Sequence, residues 1–564
     1  MILSDLSQCL PGDTVTRQSS HQGTWMLLDY STAATVDLPP VQGTMVYGAG
    51  RLGSPPLTLP LPVQGCYTIY IACWHDIHMG GSRLRLRLSE DQHWRQLEPE
   101  VMSPKDGDFP GRAIAQGDIT EVFWRVAELS SSALIIDRVR TWAEPSGRGD
   151  QAVDKGACLA WVRLEPASEQ DRDRFQGRGR TQTPAPQFAQ YDNGGWWQKG
   201  CQTVDDLHAS LDWFAGTDQW RINWGCFSNE GACYPSEVAQ QMGRDPEVTR
   251  CIDEFVRRGI DPLQVALEYA DTKGLSLYPS YRIGGKRPAP TIATTNEMPF
   301  FDSHQHCLCV TAEGTPTCHY SFAYPEVRDY FTSVLREVVE NYDVPGVHFL
   351  FIRSNPFVLY EEKTVDEFKA IHGRDPRTLP EDDATFWQHR ANYATQFVRQ
   401  LREMLDKVGK SQGKHLELSV AVPPLGNGPT WCIDGATWAR EGLVDWLTVH
   451  AGGILSLEAV GAYRQAIEGS KTPLIVDFYP RRMPACDRLR RAVDYYEAGA
   501  DGFCFWDSQA RVVRASEFAT DRFLGHREDL LDWAEQMPDT FRVIPLDTLQ
   551  GYTMDRRYWT LTSG

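Results

Sequence analysis

The stretch "YPEVRDYFTSVLREVVENYDVPGVHFLFIR", residues 324–353, passes from a helical pattern to a strand pattern within one short turn, and that passage decides the fold. Pro325 suits a first helical turn, and Val327, Phe331, Val334, Leu335, Val338 and Val339 form an apolar stripe of helical spacing. After Val344 and Pro345 the run "GVHFLFIR" is short and almost wholly apolar, as a parallel strand buried on both faces must be. It stops at Arg353-Ser354-Asn355-Pro356 and soon reaches the adjacent acids Glu361 and Glu362. A strand of this kind delivers polar groups to its carboxyl end, where α/β folds keep their chemistry.

The same rhythm extends on both sides. Candidate strands lie at 188–194, 220–225, 275–283, 346–353, 416–422, 444–450, 473–479 and 501–507, with helical stretches such as "LEAVGAYRQAIEG" and "DRLRRAVDYYEAGA" between them. Eight strands alternating with helices over residues 188–535 predict a (β/α)8 barrel of the TIM type with long loops. The competing arrangement is an open, doubly wound sheet. No glycine-rich phosphate loop follows any of these strands, which argues against its nucleotide-binding forms. Residues 1–165 read differently, as short strands divided by turns ("TMVYGAG", "LTLPLP", "CYTIYIACW", "SRLRLRLS", "ITEVFWRVAEL", "ALIIDRVRTW"), and predict an N-terminal β-sandwich of carbohydrate-binding type. Residues 166–187, polar and rich in Gly, Pro and Arg, are expected to be a linker. Residues 536–564 are expected to form a tail packed on the barrel or the sandwich.

Bulk properties narrow the function. A chain of 564 residues exceeds the size of a single core, and its 41% hydrophobic and 23% charged residues are ordinary for a globular protein. The net charge of -19 repels phosphate backbones and anionic lipid, so neither nucleic acid nor a membrane is an expected partner. No window of about 18 apolar residues offers a spanning helix. The start "MILSDLSQCLPGDTV" has neither a basic region nor an apolar core of signal-peptide type, and singletons such as Cys66, Cys73, Cys251 and Cys504 sit inside apolar runs; the expected location is cytoplasmic. The 18 Trp, 21 Tyr and 23 Phe supply flat faces suited to sugars. A carbohydrate is therefore the expected partner, with self-association into a homo-oligomer left open.

Several stretches, in order and spacing, resemble a known family: "YDNGGWW", "GLSLYPSYRIGG", "SFAYPEVRDYF", "YDVPGVHFLFIR", "PFVLYEE", "IDGATWAREGLVDWLTVH" and "AGADGFCFWD". The chain resembles the glycosyl-hydrolase-like family 10 barrels and related bacterial proteins described as family-10-like glycosidases, over residues 188–535. The resemblance implies a (β/α)8 barrel that cleaves a glycosidic bond. There is one departure. Members similar to this chain commonly read Asp-Gly-(Ile/Val)-His-Leu-Asp at the fourth strand, where this chain has Pro345-Gly346-Val347-His348-Phe349-Leu350. Both acids are absent, so another carboxylate must substitute if the reaction is kept.

Glycosidic cleavage ordinarily uses two carboxyl groups, one neutral and one ionised. The acids at predicted strand ends are Asp192, Glu230, Glu361, Glu362, Asp477 and Asp507, of which Asp192 and Glu230 belong to the expected sugar-binding set. The expected mechanism has Glu361 or Glu362 protonating the leaving oxygen and Asp477 acting as nucleophile or base. Asp507, Arg282 and Arg353 then orient the sugar over Trp506. Each carries a structural alternative: Asp477 in an ion pair with Arg481 or Arg482, Asp507 as a helix cap, the glutamates as acids of a helix start. Trp196, Tyr479, His348 and His450 join the expected sugar-binding set, although His348 would equally fill the barrel interior. Two strand-end arginines are compatible with an acidic sugar.

The segment "SHQHCLCVTAEGTPTCHY" holds His304, His306, Cys307, Cys309, Cys318 and His319, a density that could bind zinc. Its spacing matches no Cys-x2-Cys pair. The expectation is that His304 and His306 line the cleft without metal, and that no cofactor is used. The rival functions are a non-catalytic carbohydrate-binding barrel and a metal-assisted hydrolase or deacetylase acting on a sugar.

Overall fold

Eight parallel strands pair in one ring in the computed structural model of the chain, which describes residues 1–17, 23–48, 53–74, 84–92, 94–97, 118–138, 157–176, 184–191, 203–212, 214–228, 231–241, 250–282, 299–353, 355–427, 431–479, 485–506, 520, 523–536 and 541–554. In sequence order the strands are Gln187–Gln190, Arg221–Ser228, Ser276–Arg282, Gly346–Leu350, Glu417–Val422, Trp446–Val449, Leu474–Asp477 and Gly502–Trp506. They are called strands one to eight below. Each pairs with its sequence neighbour, and strand eight pairs with strand one, so the sheet closes. All eight coincide with runs expected from the sequence, and the closed ring decides against the open sheet.

Between strands three and four runs the helix Pro325–Asn341, which buries Val327, Phe331, Val334, Leu335, Val338 and Val339, the stripe read from the sequence. A 29-residue helix, Ala384–Gln412, precedes strand five. The Asp383 carboxylate accepts from the Thr385 and Phe386 amides at its start, and Gly413, at φ 71°, lets the chain leave its end. Among the described residues no helix is long and apolar enough to cross a membrane.

Antiparallel sheets precede the barrel. Their strands include the six expected ones, joined by Trp25–Thr32, Ala157–Leu159 and Trp161–Pro166, which the sequence reading did not identify. The alternation in "RLRLRL" is realised, with Leu84, Leu86 and Leu88 buried and Arg85 and Arg87 turned to the Trp94 ring. The chain also returns to these sheets at its far end: Phe541–Ile544 pairs with Ile119–Ser130, and Leu546–Leu549 with Trp25–Thr32. Arg95 donates to the carbonyls of Asp212, at 2.8 Å, and Ala215, joining the sheets to the barrel's first helix–loop segment. The stretch expected to be a linker contains the helix Glu169–Gln176, whose Arg172 reaches Glu128.

Inside the ring, several polar side chains occur in matched sets, which lowers the cost of a space without water. At its amino-terminal end the Arg221 guanidinium is fully buried, 3.5 Å from the Tyr278 ring centre and 4.3 Å from that of Phe188. Glu417, accepting from the Tyr278 hydroxyl at 2.7 Å and the Trp446 indole at 2.6 Å, lies 3.7 Å from it. Higher up, Gln190 donates to Ser280, and His348 shares a 2.8 Å hydrogen bond with Ser419. His348 is thus enclosed in the interior layer rather than presented at the rim.

Burial, reinforced by the Arg221 charge, pulls the proton affinity of His348 well below its ordinary value. The folded chain keeps the imidazole neutral, whereas the unfolded chain protonates near pH 6.5, so this contribution to stability is present above about pH 6.5 and lost as pH falls below it. His348→Asn is expected to lower Tm at pH 7.5 yet to lose less stability than the parent chain between about pH 6.5 and pH 5. Thermal melts across that range check this, and parallel acid slopes would assign the effect to other groups.

Candidate functional site

Strand register brings four expected residues together at the carboxyl end of the ring. Val449 of strand six pairs with Val476 of strand seven, so the next residues, His450 and Asp477, stand at one level and share the inward face. His450 Nδ1 lies 2.7 Å from Asp477 Oδ2, with His450 4% and Asp477 1% exposed. The imidazole stacks on Trp506, the last residue of strand eight, at 4.2 Å between ring centres. Arg353, just past strand four, completes the group. Its guanidinium carbon lies 5.2 Å from the Trp506 ring centre, and its Nη1 is 3.4 Å from His450 Nε2.

Donor chemistry fixes the protons. Arginine has only donors, so the Nε2 that faces it accepts, the imidazole proton sits on Nδ1, and Asp477 accepts from it. The arrangement is a carboxylate held by a neutral imidazole, oriented in turn by a cation. The partner of Asp477 seen here is therefore His450; Arg481 and Arg482, the expected ion-pair partners, lie outside the described residues. Trp506 is completely buried with His450 on its face, so it serves as a plate under the imidazole and not as an open platform for sugar.

The two glutamates are separated by the start of the helix Glu362–His372. Glu361 is 0% exposed; its oxygens accept from the Leu359 amide at 2.9 and 3.1 Å and from the Thr364 hydroxyl at 3.0 Å. Burial raises its carboxyl above the usual range, against these hydrogen bonds and that of the Cys309 thiol, which lower it. Glu362 is exposed in the first helical turn. Leu350, where the family resemblance leads one to expect an acid, is buried in an apolar layer with Phe188, Ile352, Ala421, Ile475, Cys504 and Trp506.

Of the remaining expected residues, Arg282 ends strand three opposite Leu350, half-buried. Tyr479 lies two residues past Asp477, its carbonyl accepting from Arg491 at 3.1 Å. His304 is anchored on its own short helix, its Nδ1 3.0 Å from the Phe300 carbonyl and its imidazole stacked on that phenyl at 4.0 Å. His306 is exposed beside Glu326. Asp192, Trp196, Glu230 and Asp507 lie outside the described residues. The sequence reading missed the pairing of His450 with Asp477, although counting one residue beyond equivalent positions of adjacent strands would have found it.

The model of the family described as Glycosyl hydrolase-like 10 matches residues 224–468, which span most of strand two through the helix after strand six. Arg353 and His450 fall inside the match, and Asp477 and Trp506 beyond it. An S-layer-related protein of Niallia circulans is 24% identical over 196 residues; the match covers 29% of this chain and only 12% of that protein's length. Among solved structures, α-L-fucosidase isoenzyme 2 from Paenibacillus thiaminolyticus is 12% identical at a TM-score of 0.40, covering 63% of this chain and 50% of its own. The PgaB (BpsB) glycoside hydrolase domain from Bordetella bronchiseptica is 11% identical at 0.40, covering 63% and 99%. A β-galactosidase from the Antarctic haloarchaeon Halorubrum lacusprofundi is 13% identical at 0.41, covering 63% and 58%. These structural likenesses are distant, and the fold rests on the strand pairing itself. The resemblance read from the motifs thus agrees with the family model, which matches this chain over residues 224–468.

Proposed function

We propose that the chain is a glycoside hydrolase whose charged carboxylate is Asp477. The observation that carries the reading is the buried His450–Asp477 pair at the carboxyl ends of adjacent barrel strands, with Arg353 fixing its tautomer. The family match over 224–468 supports a sugar as the substrate class. In this mechanism Asp477 stabilises positive charge that develops on the sugar ring, as nucleophile or as base toward water. His450 holds the carboxylate in orientation, and Trp506 fixes the imidazole plane. Arg282 and Arg353, cations at the ends of strands three and four, orient hydroxyls or an acidic substituent of the sugar. Glu361 acts here as the anchor of the loop after strand four, because its oxygens are engaged by the Leu359 amide and the Thr364 hydroxyl of its own loop and helix. Of the two glutamates, only exposed Glu362 remains open as the acid.

A second reading, a carbohydrate-binding barrel without turnover, is favoured by one observation, the apolar burial of Leu350 at the strand end where the family resemblance leads one to expect an acid. A binder would raise its Tm with oligosaccharide and release no product.

Asp477→Asn is expected to keep the fold and to cut turnover of aryl glycosides and oligosaccharides by about a hundredfold or more, since the isostere loses the charge. Unchanged turnover per folded molecule, with only a lower Tm, would return Asp477 to a structural role. Glu361→Gln is expected to do the reverse, lowering Tm by removing acceptors from buried donors while leaving the rate of the folded molecules near that of the parent. Glu362→Gln is expected to slow substrates with poor leaving groups far more than activated aryl glycosides, where protonation matters little. Rates and melts measured on the same three preparations decide each case.

A further inference from the structure

The segment after strand three carries a constellation that the glycosidase reading does not use. His306 and Cys307 form the end of a short helical turn, Gln305–Cys307, and Glu326 sits in the first turn of the helix Pro325–Asn341. His306 Nε2 lies 3.9 Å from Glu326 Oε1, and an imidazole nitrogen, the Cys307 sulfur and a Glu326 oxygen all lie within 4.8 Å of one another. The sequence expectation for this stretch was the absence of metal, because the local spacing fits no Cys-x2-Cys pair. The third ligand comes from the following helix instead.

We propose that His306, Cys307 and Glu326 bind one Zn²⁺ ion through Nε2, Sγ and a carboxylate oxygen, with water in the fourth position. Zinc bonds of about 2.0–2.3 Å in tetrahedral geometry place ligand atoms about 3.3–3.8 Å apart. The observed separations need to close by up to about 1.3 Å to reach that geometry. Both exposed side chains, His306 and Glu326, can supply that by rotating about their own torsions. The cysteine is the fixed corner. Its amide donates to the His304 carbonyl at 2.9 Å, and its carbonyl accepts from the Ser321 amide at 2.8 Å, so the sulfur is held while the other ligands swing toward it.

Donor chemistry selects the ion. One thiolate and one imidazole favour zinc over calcium or magnesium, which take oxygen ligands, and the single carboxylate offsets charge without making a hard-oxygen cage. Binding replaces the Cys307 proton by metal and releases it to solvent. The ion would tie the loop after strand three to the helix that leads into strand four. That loop continues into the hairpin strand Leu308–Val310, where the Val310 carbonyl accepts from Tyr360, the neighbour of Glu361. The site therefore braces the rim of the barrel whether or not the chain cleaves sugars.

The test uses the full chain stripped with a chelator and titrated with Co²⁺, then with Zn²⁺, followed by absorption and equilibrium dialysis. The expected result is one equivalent of metal, a thiolate-to-cobalt charge-transfer band in the near ultraviolet and intense tetrahedral visible bands that Zn²⁺ abolishes. Cys307→Ser should lose the charge-transfer band. His306→Ala and Glu326→Gln, at exposed positions that leave the circular dichroism unchanged, should each lose stoichiometric binding and the rise in Tm on adding Zn²⁺. Absence of the band in the parent chain, or a band and full stoichiometry retained in any of these variants, would overturn the proposal.

Discussion

A closed ring of parallel strands imposes one constraint from which the rest follows: every second side chain points into a space without water. An open sheet can leave such positions under a loop. Here strand eight pairs with strand one, so each inward residue must meet others from neighbouring strands at its own level. The chain meets this with apolar layers, such as Leu350 with Ile475 and Trp506, and with matched polar sets. Arg221 beside Glu417, His348 with Ser419, Gln190 with Ser280 and His450 with Asp477 are successive solutions to the same problem. Breaking one partner of a buried neutral set costs about 1–3 kcal/mol and of a charged one about 3–5 kcal/mol, because the other is left desolvated and unpaired.

That constraint also distinguishes structure from candidate chemistry. The sets at the amino-terminal end and in the middle of the ring are enclosed on all sides by the barrel wall. His450 and Asp477 are the set nearest the carboxyl end, followed in sequence by the strand-end loops, and theirs is the set joined by a half-buried cation, Arg353. A carboxylate fixed by a neutral imidazole is oriented before any substrate arrives, which is what electrostatic stabilisation of a cationic transition state requires. Leu350 shows the converse. An aliphatic side chain at the end of strand four extends the apolar interior layer, while strand seven ends in the carboxylate of Asp477.

Much of this was legible in the sequence for identifiable reasons. The eight barrel strands announce themselves because fully buried parallel strands are short apolar runs bounded by Pro, Gly and charge. The helix Ala384–Gln412 did not, because His389, Arg390 and Arg402 lie on its buried face and blur the stripe. The strand Trp161–Pro166 was hidden in the same way. Its Arg163 is buried only because Glu121, distant in sequence, stands 2.8 Å away. At the site, Asp477, His450, Arg353 and Trp506 were recognisable one by one as strand-end residues, but their contact depends on register between strands. Adjacent Glu361 and Glu362 looked equivalent, yet a helix beginning between them sends one into the core and the other into solvent. Glu326 escaped notice because no local spacing links it to His306 and Cys307.

The account stands on Asp477 as the group that meets the sugar. The most direct measurement is a crystal structure of the Asp477→Asn chain with an oligosaccharide that the parent chain cleaves. The expected result is a sugar spanning the carboxyl end of the ring, with an anomeric carbon within about 3.5 Å of the residue 477 side chain and Arg353 in contact with its substituents. A sugar held on the N-terminal sheets, or on the barrel with its anomeric carbons far from residue 477, would contradict it.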